Sequence, residues 1–310
     1  MSAGSFRFDP GEPVPDEVRR VARGRIDHAL DELRGNSHSS REEAVHEARK
    51  DMKKLRALVR LVRGDLGDRV YRAENICFRD TAAELAGVRD ADVMLATLGY
   101  LEERYGELPG AGARLRPALV AHRFRAAAGS LKPASKAAVE TLAEAHDRVE
   151  DWPLETDGFE AFGDGLGRIY GKGRRAYRAA QKLPSAENMH EWRKRVKDHW
   201  YHVLLLQDIW KPVMSALSDE AHDLSDRLGD DHDLAVLLDW AHRQASTLDG
   251  ADPVLRGFDV ILESRRRELQ EEAFDYGARL YADKPSVFVD RLEGWWEASR
   301  SAASPQRTSA

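Results

Sequence analysis

One pattern is written twice in this chain. His46-Glu47-Ala48-Arg49-Lys50-Asp51-Met52-Lys53 recurs as His190-Glu191-Trp192-Arg193-Lys194-Arg195-Val196-Lys197, at an offset of 144 residues. His, Glu, Arg, Lys and Lys are identical at the first, second, fourth, fifth and eighth places. A second match follows in the same order. Leu85 to Asp90 with Val93 corresponds to Leu228 to Asp233 with Val236, at an offset of 143. Two motifs repeated in order at nearly one offset mark a tandem duplication of a unit of about 140 residues. The fold must therefore be one that two copies of such a unit can build together.

The unit is helical. Ala, Leu, Arg and Glu dominate, β-branched residues are sparse and strict alternation is rare. No proline stands between Pro15 and Pro109, while Pro133, Pro153, Pro184, Pro212, Pro253 and Pro285 punctuate segments of helical length. Residues 1–13 read as a loose leader, residues 301–310 as a disordered tail, and the stretch from Asp147 to Phe162 as a connector. The first half then spans about 14–150 and the second about 158–300. With 42 % hydrophobic residues in 310, the chain can bury a sizeable core. It has no apolar run near the roughly 20 residues that cross a bilayer, and no apolar signal core, so a cytoplasmic protein is expected. A lone Cys77 excludes a disulfide framework and a cysteine zinc site, and reads as a buried filler.

Charge is unevenly distributed. Residues 41–63 carry a local net of +4 and residues 168–197 a local net of +8, which leaves −18 for the rest of a chain whose total is −6. At about 100° per residue, His46, Arg49, Lys50 and Lys53 fall within an arc of roughly 100° on a helix. Val45, Ala48, Met52, Leu55, Val59 and Val62 take the opposite side. The second copy sets His190, Arg193, Lys194, Lys197 and Tyr201 against Met189, Trp192, Val196, Val203 and Leu206. Each helix packs one stripe and offers a cationic one. Such a stripe repels itself unless an anion sits among its charges, and the stripe itself carries no acid at the helical pairing distance. Arg clamps oxyanions bidentately and Lys supplies a point charge. A helix rises about 5.4 Å per turn, so the stripe suits a string of anionic groups better than one small anion. Arg56 and Arg60 continue the first stripe; Lys172, Arg174 and Arg175 precede the second. Arg20, Arg23, Arg25, Arg116, Arg123, Arg125, Arg265, Arg266 and Arg267 are further cations of undetermined facing.

The two His-x-x-Arg-Lys-x-x-Lys helices, the pairs Arg89-Asp90 and His232-Asp233, the stretch Tyr170-Gly171-Lys172-Gly173-Arg174-Arg175, and Leu280-Tyr281-Ala282-Asp283-Lys284-Pro285 together resemble the CHAD family, the conserved-histidine α-helical domain. The resemblance covers roughly residues 14–300. It implies an all-α fold of two pseudo-symmetric four-helix bundles around a central basic cavity. It implies a non-enzymatic binder of inorganic polyphosphate, held by His46, Arg49, Lys50, Lys53, Arg56, Arg60, Arg89, Lys172, Arg174, Arg175, His190, Arg193, Lys194, Lys197, Tyr201 and His232. It implies a role at polyphosphate granules, or beside polyphosphate-metabolising enzymes, and no cofactor. The copies differ: Lys54, Leu55 and Arg56 stand against Asp198, His199 and Trp200, and Arg89 against His232.

Two other functions fit parts of the pattern. His190 with His232-Asp233 has the outline of an HD-type metal-dependent phosphohydrolase, but Arg193, Lys194 and Lys197 would repel a divalent metal. Tyr201, Trp192 and Trp200 could stack nucleic-acid bases, but Trp192 lies on the core stripe and the acidic remainder would repel a duplex. His232-Asp233 also reads as a helix start, with the Asp as cap.

Overall fold

The computed structural model describes residues 5–37, 40–85, 89–106, 111–128, 131–244 and 252–303. Among them the secondary structure is entirely helical. The α-helices are α1 (Val14–Arg34), α2 (Arg41–Leu61), α3 (Arg63–Glu84), α4 (Arg89–Tyr105), α5 (Ala111–Ala128), α6 (Leu131–Arg148), α7 (Gly163–Lys182), α8 (Ala186–Leu205), α9 (Lys211–Gln244), α10 (Asp252–Leu280) and α11 (Pro285–Ala303). Two 3₁₀ turns, at Phe159–Ala161 and Gln207–Ile209, lie before α7 and α9. No helix among the described residues is long and apolar enough to cross a membrane.

The two motif helices are α2 and α8, and they begin alike. Ser40 Oγ accepts from the Glu43 N–H at 3.3 Å, and Glu43 returns the bond to the Ser40 N–H at 2.9 Å, a capping box. Ser185 Oγ accepts from the Asn188 N–H at 3.2 Å. These caps satisfy donors that the first helical turn leaves open.

The apolar stripes are buried as the periodicity requires. Val45, Ala48, Met52, Leu55, Val59 and Val62 are in the core, as are Met189, Trp192, Val196, Val203 and Leu206. Trp192 lies parallel to Phe274 with ring centroids 5.7 Å apart. Helices α1, α2, α3 and α6 pack on one another, and α8 packs on α7 and α9, with α10 along α9 and α11 along α7. A second apolar cluster joins Met94, Leu98 and Leu115 of α4 and α5 to Leu234, Leu237 and Trp240 at the far end of α9 and Phe258 and Leu262 of α10. Cys77 is half-buried rather than a fully enclosed filler. Its thiol lies 3.6 Å from Arg148 Nη2, and burial pushes it up from the usual thiol range.

Two expectations change. The segment read as a loose leader is docked: Phe8 is buried, its N–H donates to Leu205 O at 2.7 Å, and Arg20 Nη2 donates to Arg7 O at 2.6 Å. Phe8 has apolar company in Phe162, 6.0 Å away between ring centroids, which a short polar leader would lack. His232-Asp233 is not a helix start, because both residues lie inside the continuous α9. Of the tail, residues 301–303 extend α11 and the remainder lies outside the described residues.

The two copies meet where α2 contacts α7 and α8, and again where α4 contacts α9. The approach is close because position 165 carries no side chain. A Cβ there would overlap the Leu61 carbonyl at the end of α2. Arg168, one turn on, donates from Nη2 to Arg60 O at 3.1 Å, where a helix C-terminus presents open carbonyls. Replacing Gly165 by Val is expected to lower unfolding free energy by about 3 kcal/mol, because backbone rather than a flexible side chain would have to move. Chemical denaturation of the variant checks this; an unchanged midpoint would show that α7 does not lie this close to α2.

Candidate functional site

The cationic stripes of α2 and α8 face the same space. Lys53, Arg56 and Arg60 of α2 and Arg193, Lys194, Arg195, Lys197, Asp198 and Tyr201 of α8 line a cleft of about 300 Å³. Lys53 occupies its interior. Burial, together with Lys197, Arg49, Arg193 and Arg56, pushes its ammonium down to about 8. The four charged groups that act on it most strongly are all cations, and two of them come from the other repeat. Arg56 donates to Asn75 Oδ1 at 3.3 Å, and burial with neighbouring Arg60 pushes it down to about 10, still charged at neutral pH.

The outer edge of each stripe is paired in the same way in both copies. Lys50 Nζ lies 2.9 Å from Glu47 Oε1, and Lys194 Nζ lies 2.5 Å from Glu191 Oε2. This corrects the expectation of stripes without a pairing acid: each motif glutamate reaches forward three residues to its lysine. Such exposed pairs hold little energy and open readily for a stronger anion.

Deeper in, the copies diverge by a charge exchange. Asp51 and Lys54 of α2 stand where α8 has Arg195 and Asp198. Asp51 is 1 % exposed and turned away from the cleft, accepting from Arg25 at 3.2 Å and meeting His28 Nδ1 at 2.6 Å, with Lys54 Nζ at 3.8 Å. Asp198 lies at the cleft wall, with Arg60 Nη1 at 2.6 Å and Arg195 Nη1 at 3.2 Å. It clamps one arginine of each repeat across the helix contact. Arg195 and Asp198 are the cleft-lining residues that the motif alone missed. The signal that could have found them is the inverted charge pair, three residues apart in both copies.

Lys172 extends the basic surface from α7. It is exposed, and burial of its stem with Arg195, Arg168, Arg60 and Arg63 nearby lowers its ammonium. His190 and His232 pack ring against ring, tilted by 32° with ring centroids 4.3 Å apart. Burial, Arg193 and His190 push His232 down to about 4, and burial with Lys194 and Arg193 lowers His190, so both are neutral at pH 7. A neutral imidazole gains charge readily when an anion arrives. His46 is half-exposed on α2, 3.9 Å from Glu47 Oε1.

Other expected residues go elsewhere. Arg174 Nε donates to Tyr281 O at 3.1 Å, on the side of α7 facing the end of α10. Arg175 is exposed on α7. Tyr201 is 2 % exposed, stacked on Trp200 at 5.0 Å and edge-on to Phe6 at 6.0 Å, so it forms the floor of the cleft. The side chain of Arg89 lies outside the described residues. The arginines beyond the motif helices are largely spoken for. Arg20 pairs with Glu17, Arg23 with Glu150, Arg116 with Glu102, Arg123 with Asp92, Arg265 with Glu268 and Arg266 with Asp231. Among the described residues no three His, Cys, Asp or Glu side chains converge as metal ligands.

The family model of the CHAD domain matches residues 20–242. The crystal structure of the CHAD domain from the plant Ricinus communis superposes on this chain with a TM-score of 0.60, at 16 % identity, covering 96 % of each chain. At that identity the likeness is one of fold. None of the curated proteins compared with the chain matches it.

Proposed function

The chain belongs to the CHAD domain family, and from that premise we propose that it binds inorganic polyphosphate in the cleft between α2 and α8 and does not turn it over. In this reading the halves form two four-helix bundles related by a pseudo-two-fold axis, with the basic cleft where they meet. The supporting observation is Lys53, half-buried among cations of both repeats, with Lys197, Arg49, Arg193 and Arg56 as the charges that weigh most on it. Asp198 and Glu191 answer part of this charge, yet the nine residues that line the cleft include seven cations and one carboxylate. Lys172, Arg193, Lys194, Lys197, Arg56 and Arg60 give successive anionic groups a run of partners, and the neutral His190–His232 pair offers proton donors beside Arg193. Charges spread along a run stabilise a bound chain over its length, whereas rate acceleration needs stabilisation focused on one bond in its transition state. That is the reason for proposing a binding module with a place at polyphosphate granules or beside polyphosphate-metabolising enzymes.

Titration with long-chain polyphosphate, orthophosphate and RNA of equal charge tests the proposal. Polyphosphate is expected to bind far more tightly than either, and its affinity to fall steeply with salt as counterions are released. Equal affinity for orthophosphate would indicate a pocket for one small anion. Equal affinity for RNA would indicate a general polyanion surface. Phosphate release from polyphosphate that is lost in His232→Ala would replace binding by hydrolysis.

A further inference from the structure

A primary amine that lies inside an anion-collecting cleft has a reactivity that an exposed lysine lacks. Lys53 is half-buried in the cleft wall, with Arg56 one turn along α2 and Arg193 and Lys197 approaching from α8. We propose that Lys53 is a site of acylation by acyl phosphates, the mixed anhydrides of a carboxylic and a phosphoric acid. The surrounding guanidinium groups hold the phosphate portion of the reagent, which places its acyl carbon beside Nζ. The Nζ lone pair attacks the carbonyl carbon and a C–N bond forms. The bond from the acyl carbon to the bridging oxygen breaks, orthophosphate leaves with the electron pair, and the amine proton passes to water. The same cations that collect the reagent stabilise the departing phosphate.

Protonation state supports the chemistry. Only an unprotonated amine is a nucleophile, and burial among cations is a known way to obtain one. With Lys53 pushed down to about 8, about half of it is neutral at pH 8, against well under one per cent of an ordinary lysine. The product is an uncharged amide, so the cleft loses its central positive charge. The inference rests on the cleft itself and stands apart from the polyphosphate reading, since its reagent is a small acyl phosphate.

The test treats the full chain with acetyl phosphate at pH 8 and maps acetyl-lysine by mass spectrometry over time. The internal reference is Lys136, whose side chain is 80 % exposed. Lys53 is expected to be acetylated at least tenfold faster than Lys136, and excess orthophosphate is expected to slow Lys53 while leaving Lys136 unchanged. With p-nitrophenyl acetate, an acylating agent without phosphate, the preference is expected to shrink severalfold. Modification of Lys53 no faster than Lys136 would overturn the proposal. A preference equally large with both reagents would overturn its assignment to acyl phosphates. A protein that acylates at Lys53 yet fails to bind polyphosphate would sink the proposed function alone. One that binds polyphosphate with an inert Lys53 would sink this inference alone.

Discussion

Reversing two charges on either motif helix is expected to abolish polyphosphate binding. Arg49→Glu with Lys53→Glu removes the contribution of the first repeat, and Arg193→Glu with Lys197→Glu that of the second. Each pair is expected to cost at least a hundredfold in affinity, about 3 kcal/mol, with helical content unchanged by circular dichroism. The expectation follows from Lys53 feeling Arg49 and Arg56 from its own helix and Lys197 and Arg193 from the other. Reversal on one side turns mutual repulsion into an internal ion pair, so the surviving cations are satisfied without a ligand. If one pair can be reversed without loss, the site belongs to a single helix. Lys50→Glu is the comparison on the same helix: Lys50 already pairs with Glu47 at the cleft margin, and its reversal is expected to cost less than tenfold.

The second large effect concerns stability in acid. His199 and His202 of α8 are 1 % and 0 % exposed. His202 donates from Nε2 to Ala57 O at 2.9 Å, across the contact between the two repeats. Its Nδ1, and Nε2 of His199, are buried without a hydrogen-bond partner among the described residues. A neutral ring tolerates this; a protonated one would bury a charge and an unmet donor. Burial accordingly pushes His199 down to about 3 and His202 down to about 4. The unfolded chain binds protons on both near pH 6.5 while the folded chain does not, so protonation favours unfolding as the pH falls. Their contribution is complete above about pH 6.5 and is lost progressively toward pH 4 for His202 and pH 3 for His199. At pH 5 the loss is about 2 kcal/mol for each, a large share of an ordinary stability of about 5–15 kcal/mol. His28 acts in the opposite sense, because its hydrogen bond to Asp51 raises it, but it is 42 % exposed and the effect is screened. Urea unfolding from pH 7.5 to pH 4.5 measures the loss. His202→Gln keeps a donor for Ala57 O and cannot titrate, and is expected to flatten the profile by about a third, since His232, also pushed down to about 4, adds to the same loss. An unchanged profile would show that His202 does not carry the acid sensitivity.

Part of this architecture is legible in the amino-acid sequence. The paired motif locates α2 and α8, because a helix turns by about 100° per residue whatever it packs against. The same rule separates Met52, Leu55 and Val59 from Arg49, Lys53 and Arg56, and Met189, Trp192 and Val196 from Arg193 and Lys197. The serines at 40 and 185 start both helices through local bonds that need no partner from elsewhere. What periodicity cannot contain is which stripe meets which, since that depends on groups more than a hundred residues apart. Only the tertiary structure brought Lys53 beside Lys197 and set Asp198 between Arg60 and Arg195. It also sent Arg174 to the Tyr281 carbonyl, although Lys172 on the same helix extends the cleft's basic surface. Nor could sequence reveal that His199 and His202 stay neutral: a histidine's charge is decided by the water it loses, and that is a property of packing. Repetition and helical phase determined that this chain would carry two cationic faces; the close approach of α7 and α8 to α2 decided that they would share one cleft.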